Sequence, residues 1–210
     1  MSSELGTRID TLLFDYGGVI ADEGFRDGLS AIARQQGLDP EELVRQAMDA
    51  VYDSGYVLGR GSEDDFWRLL KSRTGLSGEK SGLEAEIWSR FRLRPAMIAW
   101  VDRLRASGFR VALLSDQTDW LERLDRRDGF LAHFDRVFNS YHLGIGKRNP
   151  RIFRMVACRM GRRPEQILFV DDSPGNVQRA ESVGMNALLF QDEETFAREM
   201  VRRFNVSGPS

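Results

Sequence analysis

Short apolar runs, each of the length and continuity that suit a buried parallel strand, recur along this chain: Thr11–Phe14, Arg110–Leu114, Arg136–Phe138, Ile167–Val170 and Ala187–Phe190. Helical stretches separate most of them. Pro95 to Ala106 sets Met97, Ile98, Val101, Leu104 and Arg105 at helical spacing, with Gly108 as a stop. Asn149-Pro150 reads as an N-cap and a first-turn proline, opening a helix through Ile152, Phe153, Val156 and Met160. Asn176 to Val183 closes at Gly184, and Asp192-Glu193-Glu194 opens a last helix through Phe196, Met200 and Phe204. Strand–helix alternation of this kind predicts an α/β fold, a doubly wound, Rossmann-like parallel sheet with right-handed crossovers.

The rhythm breaks between Phe25 and Leu93, where only helical periodicity with caps is seen. Asp39-Pro40-Glu41-Glu42 starts one helix through Leu43, Ala47 and Val51. Ser62-Glu63-Asp64-Asp65 starts another through Phe66, Leu69 and Leu70, and Ile87, Trp88 and Phe91 make a third apolar face. The region reads as an all-helical insert after the first strand. That divides the chain into an α/β core of 1–20 and 95–210 and a helical insert of 21–94, whose aromatics are expected in its own core. Val206–Ser210 is expected to fray.

Composition narrows the function classes. The 30 Lys+Arg residues nearly balance the 32 Asp+Glu residues, giving a formal net charge of −2, which argues against a broad nucleic-acid footprint. A single cysteine, Cys158, excludes an intramolecular disulfide framework and a thiolate-built zinc site, and is expected to pack as a small side chain on its helix. No apolar run is long enough to span a bilayer, and Met1 to Thr7 lacks the pattern of a signal peptide. The expectation is a cytoplasmic protein with neither membrane nor nucleic acid as partner.

The chemistry sits where the strands end. Thr11–Phe14 runs into Asp15, Val111–Leu114 into Ser115-Asp116, and Ile167–Val170 into Asp171-Asp172. Ligands of open α/β sheets bind at the carboxyl ends of strands, so these groups can converge on one crevice. One strand-end Asp is usually a turn or helix cap; three strands ending in polar or acidic groups are harder to dismiss. Converging carboxylates repel unless a cation joins them or some take up protons. With no His or Cys cluster, the donors are hard oxygens, which favours magnesium over zinc. Gly17 and Gly18 allow backbone amides to approach an anion, and Lys147 supplies a point positive charge from a loop before a helix. A carboxylate nucleophile, magnesium, glycine amides and a lysine together suit phosphoryl transfer.

At these residues the chain resembles the haloacid dehalogenase-like hydrolase superfamily. Phe14-Asp15-Tyr16-Gly17-Gly18-Val19-Ile20 is similar to its first motif, Leu113-Leu114-Ser115-Asp116 to the second, Leu143-Gly144-Ile145-Gly146-Lys147 to the third, and Phe169-Val170-Asp171-Asp172 with the residues to Val177 to the fourth. The resemblance covers residues 10–20 and about 95–190, and the insert matches the family's cap domain in position and type. The double glycine and the Asp-Asp pair look most like the bacterial sugar-phosphatase branch and its relatives, including the phosphatase domain of soluble epoxide hydrolase. The resemblance implies Asp15 as nucleophile and Lys147 as charge-neutralising partner. It implies phosphate contacts from Gly17, Gly18, Ser115, Asp116 and Lys147. It also implies Mg2+ held by Asp15, the Gly17 carbonyl, Asp171 and Asp172, with Asp172 the direct ligand and Asp171 in support. The implied substrate is a small phosphorylated metabolite, such as a sugar phosphate.

Three positions depart from the pattern, one of them Arg148, which follows the lysine where Pro is often found. The family's second aspartate, its general acid and base, is replaced by Gly17, and Asp116 stands where Asn is common. Proton transfer must then come from water, from another side chain such as Asp116, or be spared by an acidic leaving group. A metal-independent dehalogenase and a phospho-ligand binding protein with little turnover remain open at this stage. His133 and His142 carry no assigned role.

Overall fold

The computed structural model describes residues 8–209. The polar segment Met1–Thr7 and the end of the tail at Ser210 lie outside the described residues. Five strands, β1 (Thr11–Phe14), β2 (Arg110–Ser115), β3 (Arg136–Asn139), β4 (Ile167–Asp171) and β5 (Asn186–Leu189), form one parallel sheet in the order β3-β2-β1-β4-β5. Each apolar run of the sequence becomes a strand, with boundaries shifted by one residue at β2 through β5. Register aligns the strand ends: Phe14 pairs with both Leu113 and Val170, and Asp171 with Leu189.

Alternation along β1 divides the core in two. Leu12 and Phe14 join the face covered by α5 (Pro95–Ala106) and α10 (Glu193–Phe204), where Met97, Val101, Leu104, Phe196 and Met200 are buried. Leu13 points the other way, into Ile152, Phe153, Val156 and Ala157 of α8 (Arg151–Met160) and Ala180 of α9 (Pro174–Glu181). A helix on each face is what a parallel sheet of near-continuous hydrophobics requires.

The all-helical insert follows β1: α1 (Gly24–Gln36), α2 (Pro40–Asp53), α3 (Glu63–Thr74) and α4 (Lys80–Trp88), with a short 3-10 turn at Tyr56–Leu58. Its starts are where the acidic caps put them. Asp39 accepts from the amides of Glu41 (2.9 Å) and Glu42 (3.3 Å), and Ser62 with Asp65 closes a capping box on α3. Its two connections to the sheet run side by side: the Asp22 amide donates to Arg92 O at 2.8 Å and the Arg94 amide to Ile20 O at 2.9 Å.

The remaining helices are α6 (Trp120–Asp128) and α7 (Ser140–Leu143). Neither α1 nor α6 was anticipated from the sequence, because α1 opens at a glycine without a side-chain cap and α6 follows β2 after only four residues. Three smaller expectations are corrected. Pro150 caps α8 from outside, with Asn149 Oδ1 accepting the Arg151 amide. Cys158 is exposed, being on the outer face of α8. Val206 is buried against the core instead of fraying. Among the described residues no helix is long and apolar enough to cross a membrane.

Candidate active site

Asp15 leaves β1 with its amide still bonded to Val170 O at 2.9 Å, so its side chain stands at the carboxyl edge between β2 and β4. The following residues fold back tightly. Tyr16 is fully buried, stacked on Phe130 with centroids 4.7 Å apart, and its carbonyl accepts the Ile20 and Ala21 amides. Gly18 adopts φ +77°, a left-handed conformation that glycine takes without cost, and a methyl there would overlap the Asp172 carboxylate.

Lys147 binds the acids together. Its Nζ lies 2.7 Å from Asp15 Oδ2 and 2.7 Å from Asp171 Oδ2, and the residue is only 2% exposed. Its loop is fixed at both ends: the amide donates to the Asp116 carboxylate at 2.9 Å, and the carbonyl accepts from Arg179 Nε at 2.8 Å. Asp171 is saturated, taking further hydrogen bonds from the Ser173 amide (2.8 Å) and Asn176 Nδ2 (3.0 Å). Asp172, half-buried, is left facing Gly18. Carboxylate oxygens of Asp15, Asp171 and Asp172 all lie within 4.8 Å of one another.

Three acids around one ammonium leave negative charge in excess. Burial, and then the neighbouring acids Asp171 and Asp172, push the Asp15 carboxyl upward against the pull of Lys147. Burial also leads the upward shift at Asp172. Lys147 is held above its ordinary value, because the pull of Asp15, Asp171 and Asp116 together outweighs its own desolvation, so it stays protonated. A divalent cation among these oxygens would relieve the repulsion, and an all-oxygen donor set suits magnesium.

The cluster forms the floor of a cavity of about 210 Å³. Asp15, Gly17, Ser115, Asp116, Lys147 and Asp172 all line it. Gly18 and Asp171 lie beneath, where Asp171 has no solvent exposure. The insert supplies the roof: Phe25, Tyr52, Tyr56 and Phe66 face the floor, so several of its aromatics line the cavity as well as pack its core. The roof is tied down by Tyr52 donating to Asp116, Tyr56 to Asp119, and Arg60 to Gly144 O at 2.7 Å. Arg148 lies 4.1 Å over the Tyr52 ring and donates to Met48 O at 2.7 Å.

Asp116 therefore has partners on both sides, the Lys147 amide and the Tyr52 hydroxyl, which absorb the charge that the sequence left unexplained. Among the lining residues that sequence reasoning missed, one carries a further carboxyl beside the acids. Glu23, in the first connection to the insert, opens on the cavity, and burial followed by the Asp172 charge pushes its carboxyl up to about 7. The only signal for it was the acidic pair Asp22-Glu23 between the first motif and the first helix. His133 and His142 pair with Asp102 and Glu122, each at 2.8 Å, and neither lines the cavity.

Comparison with known proteins places the chain in a family. Residues 9–184 match the family model described as haloacid dehalogenase-like hydrolase. A phosphoserine phosphatase of Thermus thermophilus is 37% identical over 165 residues, 77% of this chain and 58% of that protein. The rat bifunctional epoxide hydrolase 2 is 30% identical over 114 residues, 50% of this chain but only 20% of that protein. A GMP/IMP nucleotidase of Escherichia coli is 25% identical over 86% of this chain and 82% of its own length. Among solved structures, a haloacid dehalogenase-family enzyme of Bacteroides thetaiotaomicron superposes with TM-score 0.73 at 21% identity, covering 92% of this chain and 98% of that one. Its complex with magnesium and inorganic phosphate superposes with TM-score 0.68 at 22% identity, covering 87% and 94%. The chain belongs to the haloacid dehalogenase-like hydrolases.

Proposed function

We propose that this hydrolase is a magnesium-dependent phosphatase acting in the cytoplasm on a small phosphorylated metabolite, a sugar phosphate being one such substrate. The observation that carries the reading is the floor of the cavity: three carboxylates within 4.8 Å of one another, with Lys147 set between two of them. Residues 21–94 act as a cap over a core of 1–20 and 95–210.

Asp15 is the nucleophile. Its carboxylate attacks phosphorus, the bond to the leaving oxygen breaks, and an aspartyl-phosphate forms that water then hydrolyses. Lys147 holds the attacking carboxylate in place and neutralises charge on the phosphoryl oxygens. Ser115 and the Gly17 and Gly18 amides supply hydrogen bonds to that group, beside Asp116. Asp15, the Gly17 carbonyl and Asp172 would hold magnesium, with Asp171 orienting the cluster. The ion, when bound, supplies positive charge for the phosphate and lets the crowded acids stay ionised. The closed aromatic roof keeps bulk water from the phosphoryl group during transfer.

A panel of small phosphate esters assayed with magnesium, with chelator, and with Asp15→Asn tests this. Phosphate release by the wild type that both chelator and Asp15→Asn abolish is expected. Chelator-insensitive phosphate release would contradict the magnesium dependence, and halide release from a haloacid without phosphate release would point to dehalogenase-type chemistry instead.

A further inference from the structure

Position 17 is where the family that the chain resembles carries an acid–base aspartate and this chain has a glycine, and the structure shows what stands in the space. A Cβ built on Gly17 would lie 2.8 Å from Glu23 Oε2, and its next neighbours would be the Glu23 carboxyl carbon at 3.6 Å and Oε1 at 3.9 Å. The carboxylate oxygens of an aspartate lie roughly 2.4 Å from its own Cβ by bond geometry. Glu23 thus brings a carboxyl, from a different part of the backbone, to about where an aspartate at 17 would hold one.

Three further observations separate Glu23 from an ordinary surface acid. It lines the cavity together with Asp15, Lys147 and Asp172. Among the described residues its carboxyl makes no hydrogen bond and no ion pair, and Arg26, the next-but-two residue, which also lines the cavity, acts on it only through its charge. Its backbone is pinned: the Glu23 carbonyl accepts the Asp27 amide at 3.0 Å at the start of α1. Asp116, the other candidate, is already bonded to Tyr52 and to the Lys147 amide.

We infer that Glu23 is the acid–base residue of this hydrolase, taking the place of the aspartate missing at position 17. The inference rests on the phosphatase reading above. As Asp15 attacks and the phosphorus–oxygen bond of the ester breaks, the Glu23 carboxyl gives its proton to the departing oxygen, releasing an alcohol. The Glu23 carboxylate then takes a proton from water as that water's oxygen attacks phosphorus. The bond to Asp15 breaks, inorganic phosphate leaves, and Asp15 and protonated Glu23 are regenerated.

The test compares wild type, Glu23→Gln, Glu23→Ala and the double variant Gly17→Asp/Glu23→Ala. Each is assayed on a series of aryl and alkyl phosphates with leaving groups of rising pKa, with Asp15→Asn as control and circular dichroism confirming the fold. A positioned acid or base contributes roughly 10²–10⁴-fold. Glu23→Gln is expected to lower kcat/KM for alkyl phosphates by about that factor while aryl phosphates, whose leaving groups need no proton, lose far less. Phosphoenzyme should persist longer in Glu23→Gln after an acid quench, because water attack has lost its base. Removing Glu23 opens the space beside Gly17, whose φ is not left-handed, so Gly17→Asp/Glu23→Ala should recover alkyl phosphate turnover over Glu23→Ala by tenfold or more.

An equal loss across all leaving groups would overturn the inference. So would a change confined to the magnesium half-saturation, since Glu23 would then act only on the metal cluster. Activity retained by Asp15→Asn would instead overturn the phosphatase reading itself.

Discussion

The ammonium of Lys147 lies 2.7 Å from Asp15 Oδ2, and both residues are buried beneath the helical roof. Taking the ammonium away leaves Asp15 and Asp171, each 2.7 Å from it, without their compensating cation. Breaking a buried pair typically costs about 3–5 kcal/mol. Lys147→Met in magnesium-free buffer should lose stability of that order, read from urea unfolding. A loss below about 1 kcal/mol, the range of an exposed pair, would show the contact to be structurally idle.

Gly18 and Asp172 form a second tight pair. At φ +77°, with the Asp172 carboxylate against it, Gly18 has no room for a methyl. Gly18→Ala should displace Asp172 and raise the magnesium concentration needed for half-maximal thermal stabilisation several-fold. Calorimetric titration showing unchanged magnesium affinity in a folded Gly18→Ala protein would remove Asp172 from the ligand set.

The roof is held partly by Tyr52 donating to Asp116. A hydrogen bond to a charged group is worth about 1.5–3 kcal/mol. Tyr52→Phe should destabilise the protein within that range and open the roof, seen as faster proteolysis in the insert. Unaltered proteolysis and an unaltered KM would mean that the cap stays closed through its other ties, such as Arg60 to Gly144 O and Arg148 to Met48 O.

A pH effect is expected from α3 and α4, away from the site. Burial, and then Glu63, push the Glu84 carboxyl from its usual 4.5 up to about 7, against Lys80 at 3.7 Å and Arg123 at 3.9 Å. A carboxyl that binds its proton more tightly folded than unfolded destabilises the fold as it ionises. The penalty is absent below pH of about 4.5, grows through the interval, and is complete above about 7. Glu84→Gln should therefore raise Tm at pH 8 and have little effect at pH 4. The reverse order would show the ionised form to be the favoured one.

Much of this was legible before the structure. Strand-end acids at Asp15, Asp116 and Asp171-Asp172 come together because a parallel sheet puts every strand's carboxyl end on one edge, a consequence of period and connection alone. The helical insert was legible from Asp39 and Ser62, whose side chains cap α2 and α3 as expected. Glu23 was not legible, because its place beside Gly17 depends on how the chain turns between Ile20 and α1, and nothing local to Glu23 encodes that path. The roof tyrosines were hidden for a related reason. Tyr52 and Tyr56 have the helical spacing of core residues, and only the docked arrangement shows their hydroxyls reaching Asp116 and Asp119. Cys158 was misplaced by weighing residue type over position, and Val206 by weighing its terminal position over its apolar side chain.

The central claim is that the phosphoryl group passes through Asp15. Acid quenching during turnover of an aryl phosphate with magnesium, followed by mass spectrometry of the peptide bearing Asp15, tests it most directly. The account predicts a peptide heavier by one phosphoryl group, its label mapping to Asp15 and absent from Asp15→Asn. Steady phosphate release with no covalent adduct on Asp15, or with an adduct on another residue, would contradict it.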